Sequence, residues 1–190
     1  METNSPEAFN MNPKKFLLWL FVVTIIMFFA SLTSAYLVRS SDGDWLHFDL
    51  PSMFWISSGV IILSSLTMQL AYNAAAKNEF EKIKIYTIAT LLLGIIFLYL
   101  QVKGWGQLYA NKIYLGGKYS NPAGSFVYVL SLMHGFHLIT GIIYLIIILL
   151  SAFKQSIHSG RILQIELCTT YWHFLDLLWI YLFVFLQLNN

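Results

Sequence analysis

Five long apolar runs, at about 16–38, 54–72, 85–102, 125–152 and 165–188, alternate with short polar stretches along the chain. Each run approaches or exceeds the length needed to cross a hydrocarbon core about 30 Å thick as an α-helix, at about 1.5 Å per residue. The pattern predicts an all-α polytopic membrane protein with five spans. No soluble domain is expected. Residues 1–15 read as a polar tail with Pro6 and Pro13, ending in Lys14-Lys15 as an interfacial anchor. This start does not have the order of a cleavable signal peptide, and the apolar run that follows is too long for an h-region. The first loop carries Asp42, Asp44, His47 and Asp49; the second, Asn73 to Lys84, is charged. The third and longest, Lys103 to Gly124, holds Trp105, Tyr109, Tyr114 and Tyr119, which suit the headgroup level. The fourth is basic, with Lys154, His158 and Arg161.

Composition agrees with the pattern. The chain is 58% hydrophobic and 11% charged, whereas a soluble domain carries about 25% charged residues. The net charge of +2 gives no argument for nucleic acid. The lone cysteine, Cys168, excludes a disulfide within the chain. Five spans place the termini on opposite sides. Lys14, Lys15, Lys77, Lys82, Lys84, Lys154 and Arg161 fall on the N-terminal side; Arg39, Lys103, Lys112 and Lys118 fall on the other. That bias of basic residues predicts the N-terminus inside and the C-terminus outside.

The last span is the least ordinary. It holds Glu166, His173 and Asp176, and ionisable groups at membrane depth need partners. Three residues advance a helix by about 300°, so His173 and Asp176 share a face. Glu166, seven before His173, lies on the same stripe with Thr169 between. The fourth span holds His134, His137 and Gly141 within about 60° of one another, a polar face that lets a neighbour approach closely. Both sets lie near mid-depth, and consecutive antiparallel spans are usually neighbours. A histidine of the fourth span is therefore expected to face the His173–Asp176 region.

Three readings compete for these residues: metal or haem ligation, a proton or ion path, and a buried network that locks helices together. Bulky Phe136 and Trp172 beside the candidates weigh against a haem cleft. The first three spans offer no carboxylate to continue a path; Thr24, Ser31, Thr67 and Gln69 are only weak polar groups. The structural network is preferred, built from His134, His137, Glu166, His173 and Asp176. Arg39, Lys154 and Arg161 are candidates for lipid headgroup contact, since guanidinium and ammonium groups suit phosphates. Ordinary topology charges are the plainer account of them.

These motifs carry a resemblance. Tyr171-Trp172-His173-Phe174-Leu175-Asp176-Leu177-Leu178-Trp179 resembles the last-helix signature of subunit III of haem–copper oxidases, usually Tyr-Trp-His-Phe-Val-Asp-Val-Val-Trp. His134-Gly135-Phe136-His137, followed by Gly141, resembles that family's His-Gly-x-His-Val-x-x-Gly. Glu166, Gly124-Ser125-Phe126, Met27-Phe28-Phe29 and Ala35-Tyr36 also match. The resemblance covers nearly the whole chain and implies the short, five-helix form. Two family glutamates are missing, with Ile25 and Gly104 in their places, so the roles of those carboxylates do not carry over.

The resemblance implies a non-catalytic accessory subunit in a bacterial-type inner membrane. It implies no cofactor in this chain, with haem and copper in partner subunits. It also implies contact with subunit I and other oxidase subunits, bound phospholipid, support of proton uptake, and a place in a respiratory complex or supercomplex. The complex reduces O₂ to water and pumps protons. A self-sufficient transporter or haem-binding membrane protein is the alternative.

Overall fold

The computed structural model describes residues 12–42, 45–117, 120–153 and 162–189. The tail up to Met11, and Asp44, Lys118, Tyr119, Lys154, His158 and Arg161, lie outside the described residues. Five helices follow in order: α1 (Pro13–Ser40), α2 (Ser52–Ala76), α3 (Phe80–Ala110), α4 (Pro122–Phe153) and α5 (Ile162–Asn189). All five are long and apolar enough to cross a membrane, and no strand occurs among the described residues.

The helices outrun the apolar stretches. The 31 residues of α3 span about 46 Å, well beyond a core of about 30 Å. Lys103 to Ala110, expected in a loop, is helical. Hydropathy marks where lipid ends, whereas a helix continues until a residue stops it. Pro13 opens α1, with the Asn12 side chain accepting from the Lys14 backbone N–H at 3.1 Å. This satisfies one free donor of the first turn. Between α2 and α3 the chain turns through Asn78, at φ 57°. Asparagine tolerates this left-handed conformation better than most residues.

Helices α2, α3, α4 and α5 form a ring in which each touches the next; α2 and α3 pack most closely. The first helix stands outside the ring, against α4 and α5. Trp172 fills the middle of the ring and is fully buried. Its indole N–H donates to Ser64 Oγ of α2 at 3.0 Å. A Cβ on Gly94 of α3 would stand 2.9 Å from its ring, and one on Gly141 of α4 would stand 3.3 Å away. Those two glycines make room for the indole, so one side chain of α5 touches the other three helices of the ring.

Candidate functional site

The polar stripe of α5 faces α2 along a serine-bearing seam. Trp179 Nε1 donates to Ser58 Oγ at 3.0 Å, one level away from the Trp172–Ser64 bond. His173 Nδ1 lies 2.6 Å from Ser65 Oγ, and its Nε2 lies 3.1 Å from Gln69 Oε1. Gln69 in turn donates from Nε2 to Asn73 Oδ1 at 3.3 Å. Ser65, Gln69 and Asn73 are spaced by four residues, which puts them on one face of α2. The seam continues to α3, where Gln101 Nε2 donates to Ser57 Oγ at 3.0 Å.

Asp176 is buried, and neither carboxyl oxygen has a hydrogen-bond partner among the described residues. The Ser65 hydroxyl makes its hydrogen bond with His173. Glu166 pairs with Lys15 of α1, Oε1 to Nζ at 2.6 Å. Both side chains are more than a third exposed, so the pair contributes modestly, about 0–1 kcal/mol.

The two histidines of α4 part company. His134 is fully buried, and neither ring nitrogen has a hydrogen-bond partner among the described residues. Its ring packs against Phe97 at 5.7 Å and Trp179 at 5.2 Å. His137 turns toward α1, 5.7 Å from the Phe29 ring, and donates from Nδ1 to the Met133 carbonyl at 2.7 Å. The Nδ1 position therefore carries its hydrogen, because a carbonyl can only accept.

The expected meeting of a fourth-span histidine with the His173–Asp176 region is thus corrected. His134 does face α5, but one turn further along, at Trp179. The polar partners of His173 come from α2. Neighbouring spans were rightly paired; the missing fact was that α5 is flanked by α2 as well as α4. No hydrogen bond links Glu166, His134, His137, His173 and Asp176 directly to one another among the described residues.

The serines of α2 were not singled out in the sequence. Their signal was present: Ser57-Ser58 and Ser64-Ser65 recur after seven residues, as do Trp172 and Trp179. The serines that the two tryptophans bond, Ser64 and Ser58, are six residues apart, near enough to the seven between the tryptophans for two antiparallel helices to meet at both levels.

A polar cleft of about 240 Å³ opens beside this seam, lined by Gln69, Tyr72, Glu166, Thr169, Thr170 and His173. Arg39 pairs with Asp42 at 3.1 Å and lines a separate cleft of about 490 Å³ with Ala35, Pro122, Ser125, Phe126 and Val129. Lys154 and Arg161 lie outside the described residues. Ile25 is buried, and at Gly104 an added Cβ would collide with the Phe54 ring. Gly104 is therefore a packing position filled by Phe54. Among the described residues no three or more His, Cys, Asp or Glu side chains are grouped to hold a metal ion.

A family model described as cytochrome c oxidase subunit III matches residues 46–189. The chain is 28% identical over 184 residues to cytochrome bo(3) ubiquinol oxidase subunit 3 of Buchnera aphidicola subsp. Schizaphis graminum (strain Sg), covering 94% of this chain and 95% of that one. It is 30% identical over 165 residues to the probable cytochrome c oxidase subunit 3 of Nocardia farcinica (strain IFM 10152), covering 83% and 79%. It is 27% identical over 176 residues to cytochrome c oxidase subunit 3 of Bacillus sp. (strain PS3), covering 90% and 83%.

Proposed function

This chain belongs to the cytochrome c oxidase subunit III family, and on that premise we propose how it serves its complex. It is an accessory subunit of a haem–copper oxidase, a multi-pass protein of a bacterial-type inner membrane that works with other oxidase subunits. The observation that carries this is the family match across residues 46–189, which takes in four helices and both histidine motifs. The relatives do not support the alternative of a self-sufficient transporter or haem-binding protein.

The finer reading concerns what the chain touches. It packs beside subunit I, with haem and copper held in partner subunits and electrons and O₂ handled there. The N-terminus lies inside and the C-terminus outside. The exposed apolar side of α1, with Phe16, Leu17, Trp19 and Met27, suits a neighbouring helix or acyl chains. The cleft at Arg39 suits a phospholipid headgroup, with the guanidinium as its phosphate contact. The buried polar residues of α4 and α5 fix the geometry of the ring, which presents a rigid surface to the catalytic subunit and supports its proton uptake.

Membranes from cells lacking this chain test the reading. The oxidase should keep its haem and its initial rate of O₂ consumption, then lose activity faster during turnover. A fully assembled, haem-bearing partner with no initial activity would contradict a non-catalytic role.

A further inference from the structure

We infer that the open side of α5, between α1 and α2, is the seat of one transmembrane helix of a partner subunit. The inference rests on the accessory-subunit reading and gives the partner a place on the molecule. Helix α5 is the most deeply packed of the five, yet one side of it is uncovered. Glu166, Thr170, His173, Leu177, Tyr181 and Val184 are half-buried or exposed, and they recur at steps of three and four residues. Such spacing keeps them in one stripe along the helix. Helices α1 and α2 each pack against α5 but do not touch each other among the described residues. The stripe lies in the gap between them.

Three clefts follow one another along that stripe. The polar cleft of about 240 Å³ has Gln69 and Tyr72 of α2 as its wall and Glu166, Thr170 and His173 on its floor. The next, of about 300 Å³, has Ile26, Phe29 and Ala30 of α1 as its wall and Phe174, Leu177 and Tyr181 on its floor. A third, of about 470 Å³, continues over Val184 and Leu188 to Asn189. Leu177 and Tyr181 line both of the last two, so these run together. From Glu166 to Asn189 the groove is about 34 Å long at about 1.5 Å per residue. That is the thickness of a hydrocarbon core, about 30 Å.

Length and polarity together select the occupant. An acyl chain reaches from one headgroup layer to the middle of the bilayer, about 15 Å, whereas a helix crosses the whole core. At the polar end Gln69 is exposed, seven residues inside the end of α2 at Ala76 and so about 10 Å along the helix from it. It donates one amide hydrogen to Asn73 Oδ1, and its other amide hydrogen has no acceptor among the described residues. Lipid tails offer no acceptor at that depth. A neighbouring helix does, through a side-chain oxygen. Lys15 already neutralises Glu166, so the matching residue on the partner is polar and uncharged: Ser, Thr, Asn or Gln. Along the rest of the groove the partner is apolar. The spacing of the stripe is that of a seam between two helices crossing at about 20°.

Photocrosslinking in native membranes tests the seat. The photoreactive side chain p-benzoylphenylalanine is put in place of Leu177 or of Val184, both exposed in the groove. As a control it is put in place of Ile95, equally exposed on α3, which does not touch α5. After illumination the complex is purified through this chain and the adducted peptides are identified. Both groove positions should label the same transmembrane helix of one co-purifying subunit, and Ile95 should not. Two positions keep the test decisive if one variant fails to fold. Lipid adducts alone from the groove would overturn the inference, and so would adducts with a second copy of this chain, or labelling of that helix from Ile95 to the same extent. The haem of the purified complex is read separately. A labelled helix from an assembly without haem would leave the groove standing and contradict the oxidase reading.

Discussion

The contact of α5 with α2 and the contact of α5 with α1 are built by different means. On the α2 side, two tryptophans and a histidine make hydrogen bonds to Ser58, Ser64, Ser65 and Gln69. On the α1 side, an apolar cleft of about 300 Å³ remains open, lined by Ile26, Phe29, Ala30, Phe174, Leu177, Leu178 and Tyr181. The direct polar links there are few. Lys15 meets Glu166 near one end, Thr33 lies 3.4 Å from the Tyr181 hydroxyl, and Tyr36 donates to the Asn189 carbonyl at 3.2 Å. Lipid tails are as apolar as leucine, so apolar burial alone gives little reason for two helices to prefer each other. Close packing at small residues and hydrogen bonds between helices supply that preference. The ring has both; α1 has mostly aromatic contacts, such as Tyr36 with Phe126 and Phe185.

The comparison makes the ring the part whose damage should cost most. Trp172→Ala is expected to have the largest effect, about 3–5 kcal/mol, because it empties the centre of four helices. Thermal unfolding in detergent should show a large drop, and little assembled complex should be recovered. Gly141→Leu should follow, at about 1–3 kcal/mol, by forcing Trp172 and Leu175 aside. His173→Leu should cost a similar or smaller amount, about 1–3 kcal/mol, since the half-buried Ser65 loses its partner on α5. Unchanged assembly of His173→Leu would show that its bonds to α2 are dispensable. Ser58→Ala removes only the partner of the Trp179 N–H and should cost about 1 kcal/mol, read as a small fall in melting temperature.

The α1 side should be more forgiving. Lys15→Gln is expected to change stability by about 0–1 kcal/mol, and less in high salt, because the pair with Glu166 is partly solvated. A Lys15→Gln variant that melts as low as Trp172→Ala would invert the comparison.

Much of this architecture was legible in the chain. Hydropathy located all five helices, because each has to present apolar side chains to lipid over a fixed thickness. Helix ends were less legible, since α3 runs on through Lys103 to Ala110 beyond its apolar core. The polar stripe of α5 stood out because ionisable residues are rare at that depth. Its partners on α2 did not, since serine in a helix commonly bonds its own backbone. Ser57, Ser58 and Ser64 all do so here, donating to carbonyls of Phe54 and Ile61. The same hydroxyl oxygens accept from Gln101, Trp179 and Trp172. Only the neighbouring helix reveals that second use. Gly94 was similarly silent, a single glycine in an apolar run until Trp172 is seen against it.

The most direct test of the central claim, that this is an accessory subunit of a haem–copper oxidase, and of the proposal that the haem is held by its partners, is a visible spectrum. The tagged chain is drawn from its native membrane in mild detergent, with co-purifying polypeptides identified. Haem absorbance together with a large polytopic partner is expected, with the haem lost from this chain when that partner is stripped away. Haem retained by the isolated chain, or a chain that emerges alone and colourless under the gentlest extraction, would contradict it.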